Sequence, residues 1–476
     1  MTLAQKSNEP EQHRQAGPAP ASYRRILVGL LFGATLGGAV NAGWGASPSV
    51  VWLVESLVEP LGRVFLRLIF MIVVPLLLSA LSLGVLGLGD LRSIGRIGVR
   101  TLLLTVLISG LAVVTGIVLV NLFQPGAGIP PEARMALSGP VTQAPAPPAE
   151  TTVGLSALLR VVPDNPVRAA AQGDMLAVMF FALVFGIGLA RAQDEKVRPL
   201  VAVLEGVYEV TMQIVAMVMR LAPYGVACLT FSLTARLGFG VLRQLAGFVG
   251  VVLLGLAVHQ LVTYSLLLRF AAGISPRAFF RRARLVMATA FSTSSSNATL
   301  PVTLQVATER LGIPRDIGSF VLTLGSTANQ NGTALFEGVT VLFLAQFFGV
   351  ELTWSQQLLV VLMAVLAGVG TAGVPGGSLP MIVPVLVTVG VPAEGIGVIL
   401  GVDRLLDMCR TVLNVTGDLT AAAVVAAWEG RLGFGPEHDQ GGDKQLGRST
   451  RGHQSEPHKP TQGGRDGRVL LSSRGQ

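Results

Sequence analysis

The stretch Leu285-Val286-Met287-Ala288-Thr289-Ala290-Phe291-Ser292-Thr293-Ser294-Ser295-Ser296-Asn297-Ala298-Thr299-Leu300 decides how this chain is to be read. Its apolar part, Leu285–Phe291, is far shorter than the roughly 20 residues that cross a bilayer. The polar tip Ser292–Asn297 follows, and the chain then turns apolar again over Leu300–Ala307. In a soluble protein the tip would read as a flexible linker. Between two apolar half-segments it reads as the turn of a re-entrant hairpin, because unpaired backbone in lipid costs several kcal/mol per group.

Outward from that hairpin the same pattern recurs. Ile317–Phe348 is long enough to span but is broken near its middle by Asn329-Gln330-Asn331-Gly332. Leu358–Val369 is short and apolar, Gly370–Ser378 is a flexible tip, and Leu379–Val391 is apolar again. A long helix over about Ile396–Trp428 closes the unit. A hairpin and a helix, twice over, predict the core of an inverted-repeat transporter, whose sites lie at such discontinuities near the midplane.

The remainder of the chain fits a polytopic membrane protein. Of 476 residues 51% are hydrophobic and only 13% charged, against about 25% charged in soluble domains. The 57 Gly and 27 Pro are too many for plain spans, since every broken backbone must be re-satisfied inside the protein or face a water-filled cavity. The net charge of +8 matches the positive-inside bias of cytoplasmic loops, and no RNA-binding or zinc spacing accompanies it.

A polar leader precedes Arg24-Arg25, and Ile26–Ala42 opens a first helix retained as a membrane span. Val50–Leu88 contains Pro60 and Pro75 as breaks, and Arg92, Arg96 and Arg100 mark a cytoplasmic turn. Leu102–Leu122 is a clean span. The Pro- and Ala-rich segment from Gln124 to Asn165 is a loop on the far side. Met175–Leu189, Val207–Leu233 (interrupted at Ala222-Pro223-Tyr224-Gly225) and Leu245–Leu268 follow. Arg277, Arg281, Arg282 and Arg284 return the chain to the cytoplasm. After Gly433 the chain reads as a disordered tail.

The last helix carries the chemistry. Asp403, Asp407, Arg410, Thr411, Asn414 and Asp418 fall at about 0°, 40°, −20°, 80°, 20° and 60° around the axis. A polar stripe within an arc of about 100° persists in an apolar helix only where it faces partners or water inside the protein. An internal Asp407–Arg410 pair would explain the charges but not Thr411 and Asn414. Free N–H groups at half-helix N-termini suit a carboxylate, and the carbonyls and amides freed at Asn329–Gly332 suit a hard cation such as sodium.

Taken together, Ser294-Ser295-Ser296-Asn297-Ala298-Thr299-Leu300-Pro301, Asn329-Gln330-Asn331-Gly332-Thr333, Gly370-Thr371-Ala372-Gly373-Val374-Pro375-Gly376 and the spaced Asp403, Asp407, Arg410, Thr411, Asn414 and Asp418 resemble the dicarboxylate/amino acid:cation symporter family, the glutamate and aspartate transporters. The four motifs cover about Arg277–Trp428, with weaker similarity back to about Arg25, including Ile72-Val73-Val74-Pro75. The resemblance implies an all-α polytopic protein of about eight transmembrane helices and two re-entrant hairpins, working as a homotrimer by an elevator motion. Its parts would be a cytoplasmic leader (1–23), mostly scaffold helices (24–275, with transport-domain helices at 99–123 and 245–268), a transport core (276–430) and a cytoplasmic tail (431–476), in the cell's inner membrane with both termini cytoplasmic.

Carried over by motif, Arg410 would take the substrate's side-chain carboxylate, Asp407 its α-amino group, and Asn414 and Ser296 its α-carboxylate. Ser295, Thr333, Val374, Ser378 and Thr411 would complete the pocket. Gly325, Asn329, Asn414 and Asp418 resemble one sodium site; Thr327, Gly368, Val369 and Thr371 resemble a second. A third is compromised: Gln330 and Asn331 replace the family's Met and Asp, and Ile108-Ser109 stand where a Thr-Ser pair is usual. Ser109 and Asn331 therefore predict a weakened or absent third site, with coupling to fewer sodium ions or to protons. Ser294 replaces an arginine often found at the first hairpin tip, and Arg404 is placed to substitute.

The resemblance thus implies a non-enzymatic symporter of aspartate, glutamate or related dicarboxylates, with sodium or protons as co-substrates, no other cofactor and no nucleic-acid partner. The alternatives weighed are a C4-dicarboxylate:proton symporter of the same family, an intramembrane hydrolase using Asp403 and Asp407 or a serine with His259, and an ion channel. Asp403 and Asp407, one turn apart beside Arg410, suit aspartyl catalysis poorly.

Overall fold

The computed structural model describes residues 21–45, 47–89, 96–128, 162–192, 195–371, 373 and 375–435. The leader to residue 20, the Pro-rich loop at 129–161, the tail from 436 onward and Val374 lie outside the described residues. Among those described, every regular element is a helix.

The helices run in order α1 (Ala21–Trp44), α2 (Pro48–Leu53), α3 (Glu59–Phe70), α4 (Val73–Gly89), α5 (Arg96–Phe123), α6 (Pro166–Gln172), α7 (Met175–Ala192), α8 (Arg198–Leu237) and α9 (Gly240–Val258). A π turn at Val54–Val58 joins α2 to α3, and π turns at His259–Thr263 and Leu267–Ala271 carry α9 onward to Ala271. Then come α10 (Pro276–Thr293), α11 (Ser296–Glu309), α12 (Arg315–Ala328), α13 (Asn331–Phe348), α14 (Trp354–Gly370), α15 (Leu379–Thr388) and α16 (Ile396–Trp428). Among the described residues, seven segments are long and apolar enough to cross a membrane, from Arg24–Trp44 to Arg315–Phe348. The eighth, α16, is equally long but carries the charged stripe. The α10–α11 and α14–α15 pairs are the two hairpins.

Small residues set the closest helix crossing. On α1, a Cβ at Gly29 or Gly33 would run into the carbonyls of Pro223 and Ala227 on α8, the close backbone approach that membrane helices use in place of hydrophobic driving force. That packing accompanies a departure from the sequence expectation. Pro223 does not interrupt its helix, and α8 runs unbroken through it for 40 residues. A proline deletes one N–H, and in lipid the neighbouring helix makes that loss tolerable.

Two helices are enclosed on nearly every side. On α13 every residue from Asn331 to Phe347 is buried except Gln346, and on α16 all six members of the polar stripe are buried. Against α13 pack α5, α9 and α14; against α16 pack α10, α12 and α13. Phe248 of α9 stacks on Phe343 at 4.6 Å between ring centres, closing the lipid-facing side of that layer. Polar groups on α13 and α16 therefore see protein, not lipid.

The first hairpin is tighter than its sequence suggests. Helix α10 starts at Pro276 and continues through Ser292 and Thr293, so the non-helical tip is only Ser294 and Ser295. The hydroxyls of Ser292 and Thr293 bond to carbonyls of their own turn, Ala288 and Ala290, which lets polar residues remain helical within the membrane.

Candidate functional site

The site forms where three interruptions meet the striped face of α16. At the first tip, Ser294 takes a left-handed conformation (φ 50°, ψ 32°) that ends α10, costing a non-glycine residue roughly 1–2 kcal/mol. Ser295 then caps α11: its hydroxyl accepts from the Ala298 N–H at 3.1 Å and donates to the Gly373 carbonyl at 2.6 Å. The same carbonyl accepts from the Asn297 N–H at 3.3 Å. The two hairpin tips are thus fastened together.

At the break between α12 and α13, Asn329 and Gln330 leave the helical path, and their side chains are bound by the last helix and by α12. The Asn329 amide donates to Asp418 at 2.8 Å, while its carbonyl oxygen is buried without a partner. A Cβ at Gly325 would strike the Asp418 carboxylate, so that carboxylate lies directly on the Gly325 backbone. A buried carboxylate, an unspent amide oxygen and a glycine backbone are together the hard oxygen environment a cation such as sodium takes.

Next to it, the Asn414 oxygen accepts from the Gly332 N–H at 2.7 Å, and its nitrogen donates to Gln330 at 2.6 Å and Thr333 at 3.3 Å. Gln330 in turn donates to the Ser326 carbonyl at 2.8 Å. Asn414 therefore binds the helix break itself and makes no hydrogen bond to the Asp418 cluster.

Behind Asn331 the polar groups form a closed neutral chain. Ser109 donates to the Asn331 oxygen at 2.7 Å, the Asn331 nitrogen to the Tyr264 hydroxyl at 3.0 Å, and that hydroxyl to the Leu413 carbonyl at 3.1 Å. Gly417 is required here, since a Cβ would collide with both Asn331 and Tyr264. Both polar atoms of the Asn331 side chain are engaged by neutral partners, and no carboxylate stands here to offset a cation's charge.

A recess opens between the tips and α16. Its walls include Ser294, Ser296 and Gln330, then Thr333, Thr371 and Gly373, then Ser378, Asp407, Thr411 and Asn414. The Ser294 and Ser378 hydroxyls are buried and unpartnered. Asp407 presents one oxygen to Arg410 at 2.8 Å and the other to the Gly376 N–H and to Arg404, each at 3.3 Å. Arg410 is 1% exposed, with its Cζ 3.8 Å from the centre of the Phe336 ring. The same Nη2 that bonds Asp407 lies 3.1 Å from Asp403, while Nε and Nη1 have no partner. A desolvated guanidinium with two donors unspent is a receptor for a carboxylate.

Most residues singled out in the sequence meet here, with exceptions. Ser296, Thr333, Ser378, Asp407, Thr411 and Asn414 line the recess; Ser295 is committed to the tip contact instead. Gly368 packs against the Gln330 carbonyl, next to Val369, and Thr371 bonds back to Ala367 at 2.8 Å. The Thr327 side chain is exposed, and its hydroxyl is spent on the Leu324 carbonyl. Three contributors carry no mark in the motifs, and Gln330, noted there only as a replacement in the break, stands in the wall. Glu337 is fully buried on α13 with neither oxygen hydrogen-bonded; a lone acid within an apolar run was its signal. Phe336 beneath Arg410 and Tyr264 beside Asn331 follow from helix packing, which no local pattern reveals.

Comparison with known proteins accords with this geometry. The signature of the sodium:dicarboxylate symporter family matches residues 23–428. The chain is 36% identical over 85% of its length to a proton/sodium-glutamate symport protein of Bacillus subtilis and to a proton/glutamate-aspartate symporter of Escherichia coli, covering 92% of each. It is 32% identical over 86% of its length to a C4-dicarboxylate transport protein of Rhodospirillum rubrum, covering 89% of it.

Proposed function

This chain belongs to the sodium:dicarboxylate symporter family, and from that premise we propose that it imports acidic amino acids, aspartate or glutamate, driven by a cation gradient. The observation that carries the proposal is Arg410: a buried guanidinium with Nε and Nη1 unspent, set beside the Asp407 carboxylate of the recess. Arg410 takes the side-chain carboxylate, Asp407 the ammonium, and the orphan hydroxyls of Ser294 and Ser378 take the second carboxylate with Ser296, Thr333 and Thr411.

Coupling uses two kinds of cation. Sodium occupies the cradle of Gly325, Asn329 and Asp418, where the unpartnered Asn329 oxygen supports it; Asn414 holds the adjoining break. A second sodium lies under the Gly368–Thr371 backbone near Thr327. Protons enter at Glu337, an enclosed carboxylate with neither oxygen hydrogen-bonded. The Ser109–Asn331–Tyr264 chain fills the third position with neutral atoms, so the number of sodium ions moved per substrate is reduced.

The whole is a homotrimer of the inner membrane working as an elevator, with 276–430 and the helices at 99–123 and 245–268 forming the moving part. Both termini are cytoplasmic. Glu429, just past α16, pairs with Arg96 at 2.8 Å and Arg100 at 2.7 Å at the start of α5, which supports one side for the Arg turn and the C-terminal end. No chemical step on the substrate is proposed.

The test is ligand binding to purified protein. Aspartate should raise the thermal unfolding temperature in sodium but not in potassium, and Arg410→Ala should lose the response. Stabilisation of the Arg410→Ala protein equal to the wild type would overturn the substrate assignment.

A further inference from the structure

We propose that Arg404 equips this one site for two substrate classes, acidic amino acids and C4-dicarboxylates that carry no amino group. The inference rests on the transport function proposed above. Asp407 is balanced on both oxygens: Arg410 Nη2 holds Oδ1 at 2.8 Å, and Arg404 Nη1 lies 3.3 Å from Oδ2. With Asp403 at 3.1 Å from Arg410, the Asp403–Arg410 end of the stripe carries two carboxylates and two guanidiniums, and Glu337 of α13 also acts on Arg410.

The two arginines are not equivalent. Arg410 is 1% exposed and held flat on Phe336, whereas the Arg404 side chain is 20% exposed at the edge of the stripe and free to yield its place. An incoming α-ammonium replaces it at Oδ2, the oxygen that also faces the Gly376 N–H of the second tip. A substrate with a plain methylene there brings no cation, and Arg404 stays to keep Asp407 from repelling the substrate's carboxylates.

The other unspent groups do not discriminate. The Arg410 Nε and Nη1 can only donate, matched to carboxylates that both classes share, and the Ser294 and Ser378 hydroxyls, which donate or accept, carry no charge with which to select an ammonium. Recognition of the amino group therefore falls on the Asp407–Arg404 pair. A substrate-borne cation and Arg404 compete for one oxygen, so removing Arg404 should move the two classes in opposite directions.

The test is initial-rate uptake of radiolabelled aspartate and succinate into proteoliposomes by the wild type, Arg404→Gln and Arg404→Lys. The wild type should carry both. Arg404→Gln should raise the succinate KM about tenfold or more and lower the aspartate KM severalfold, and Arg404→Lys should recover most of the succinate uptake. A wild type that carries aspartate but not succinate overturns this proposal and leaves the proposed function standing. A shift of both KM values in the same direction by the same factor in both variants also overturns it. Uptake of neither substrate by the wild type overturns both.

Discussion

The hydroxyl of Ser295 donates to the carbonyl of Gly373 across 2.6 Å, and this one contact joins the tips of two hairpins 78 residues apart in sequence. Since the same oxygen caps α11, the order of the first tip and the closure of the second are linked. Ser295→Ala removes both bonds. Loss of an N-cap costs about 0.5–2 kcal/mol, and a lost buried hydrogen bond adds a similar amount. Substrate KM should rise severalfold, and amide exchange should quicken between residues 371 and 378. Ser295→Thr, which keeps the hydroxyl, should behave nearly as the wild type. Unchanged exchange in Ser295→Ala would show that the tips are held by something else.

Glu337 should govern the response to pH. It is enclosed on α13, next to the helix break and one residue beyond the Phe336 ring under Arg410, and neither oxygen has a hydrogen-bond partner. Glu337→Gln keeps the shape and removes the titration. Uptake by the wild type should vary with external pH, and the variant should be flat across the same range. A variant with the same pH profile as the wild type would exclude Glu337 as the proton carrier.

The Tyr264 hydroxyl closes the chain through Asn331. Tyr264→Phe leaves the Asn331 nitrogen buried without its acceptor, a loss of about 1–3 kcal/mol, while the Leu413 carbonyl keeps its bond within α16. Purified Tyr264→Phe should unfold at a temperature several degrees lower. Asn331→Asp should do something different: it introduces a carboxylate among Ser109, Tyr264 and the helix break. It should steepen the dependence of uptake on sodium concentration. An unaltered sodium Hill coefficient in Asn331→Asp would mean that this position is closed to cations for another reason.

Outside the membrane, the hydrogen bond from Arg96, with Arg100 beside it, holds the Glu429 carboxyl below its usual range. A carboxylate whose pKa is depressed by folding contributes stability above its unfolded value and loses it as pH falls through the folded one. Glu429→Gln should therefore melt slightly below the wild type at pH 7, and the two should converge below about pH 4. Salt should narrow the gap, because the Arg96 side of the cluster is exposed and therefore screened. A gap that persists in acid would point to packing rather than charge.

The elements that break rules were the legible ones. The polar tip between half-length apolar segments, the Asn329–Gly332 interruption and the stripe on α16 each contradict a plain span, and all three converge at the recess. Pro223 misled for the same reason: a proline looks like a break, but whether it acts as one depends on α1 packing alongside. The bounds of the first tip were drawn too wide because Ser292 and Thr293 are polar in composition yet satisfied within their own helix. Tyr264 and Phe336 were invisible, since an aromatic residue in an apolar helix announces nothing until its neighbour is known.

Gradient-driven accumulation tests the central claim most directly. Purified protein in proteoliposomes is given an inward sodium gradient, an inward proton gradient, or both, and the uptake of radiolabelled aspartate is followed. Aspartate should accumulate above its external concentration when a gradient is imposed, and collapse of the gradients should release it. Equilibration that never exceeds the external concentration, or accumulation indifferent to both cations, would contradict a coupled symporter.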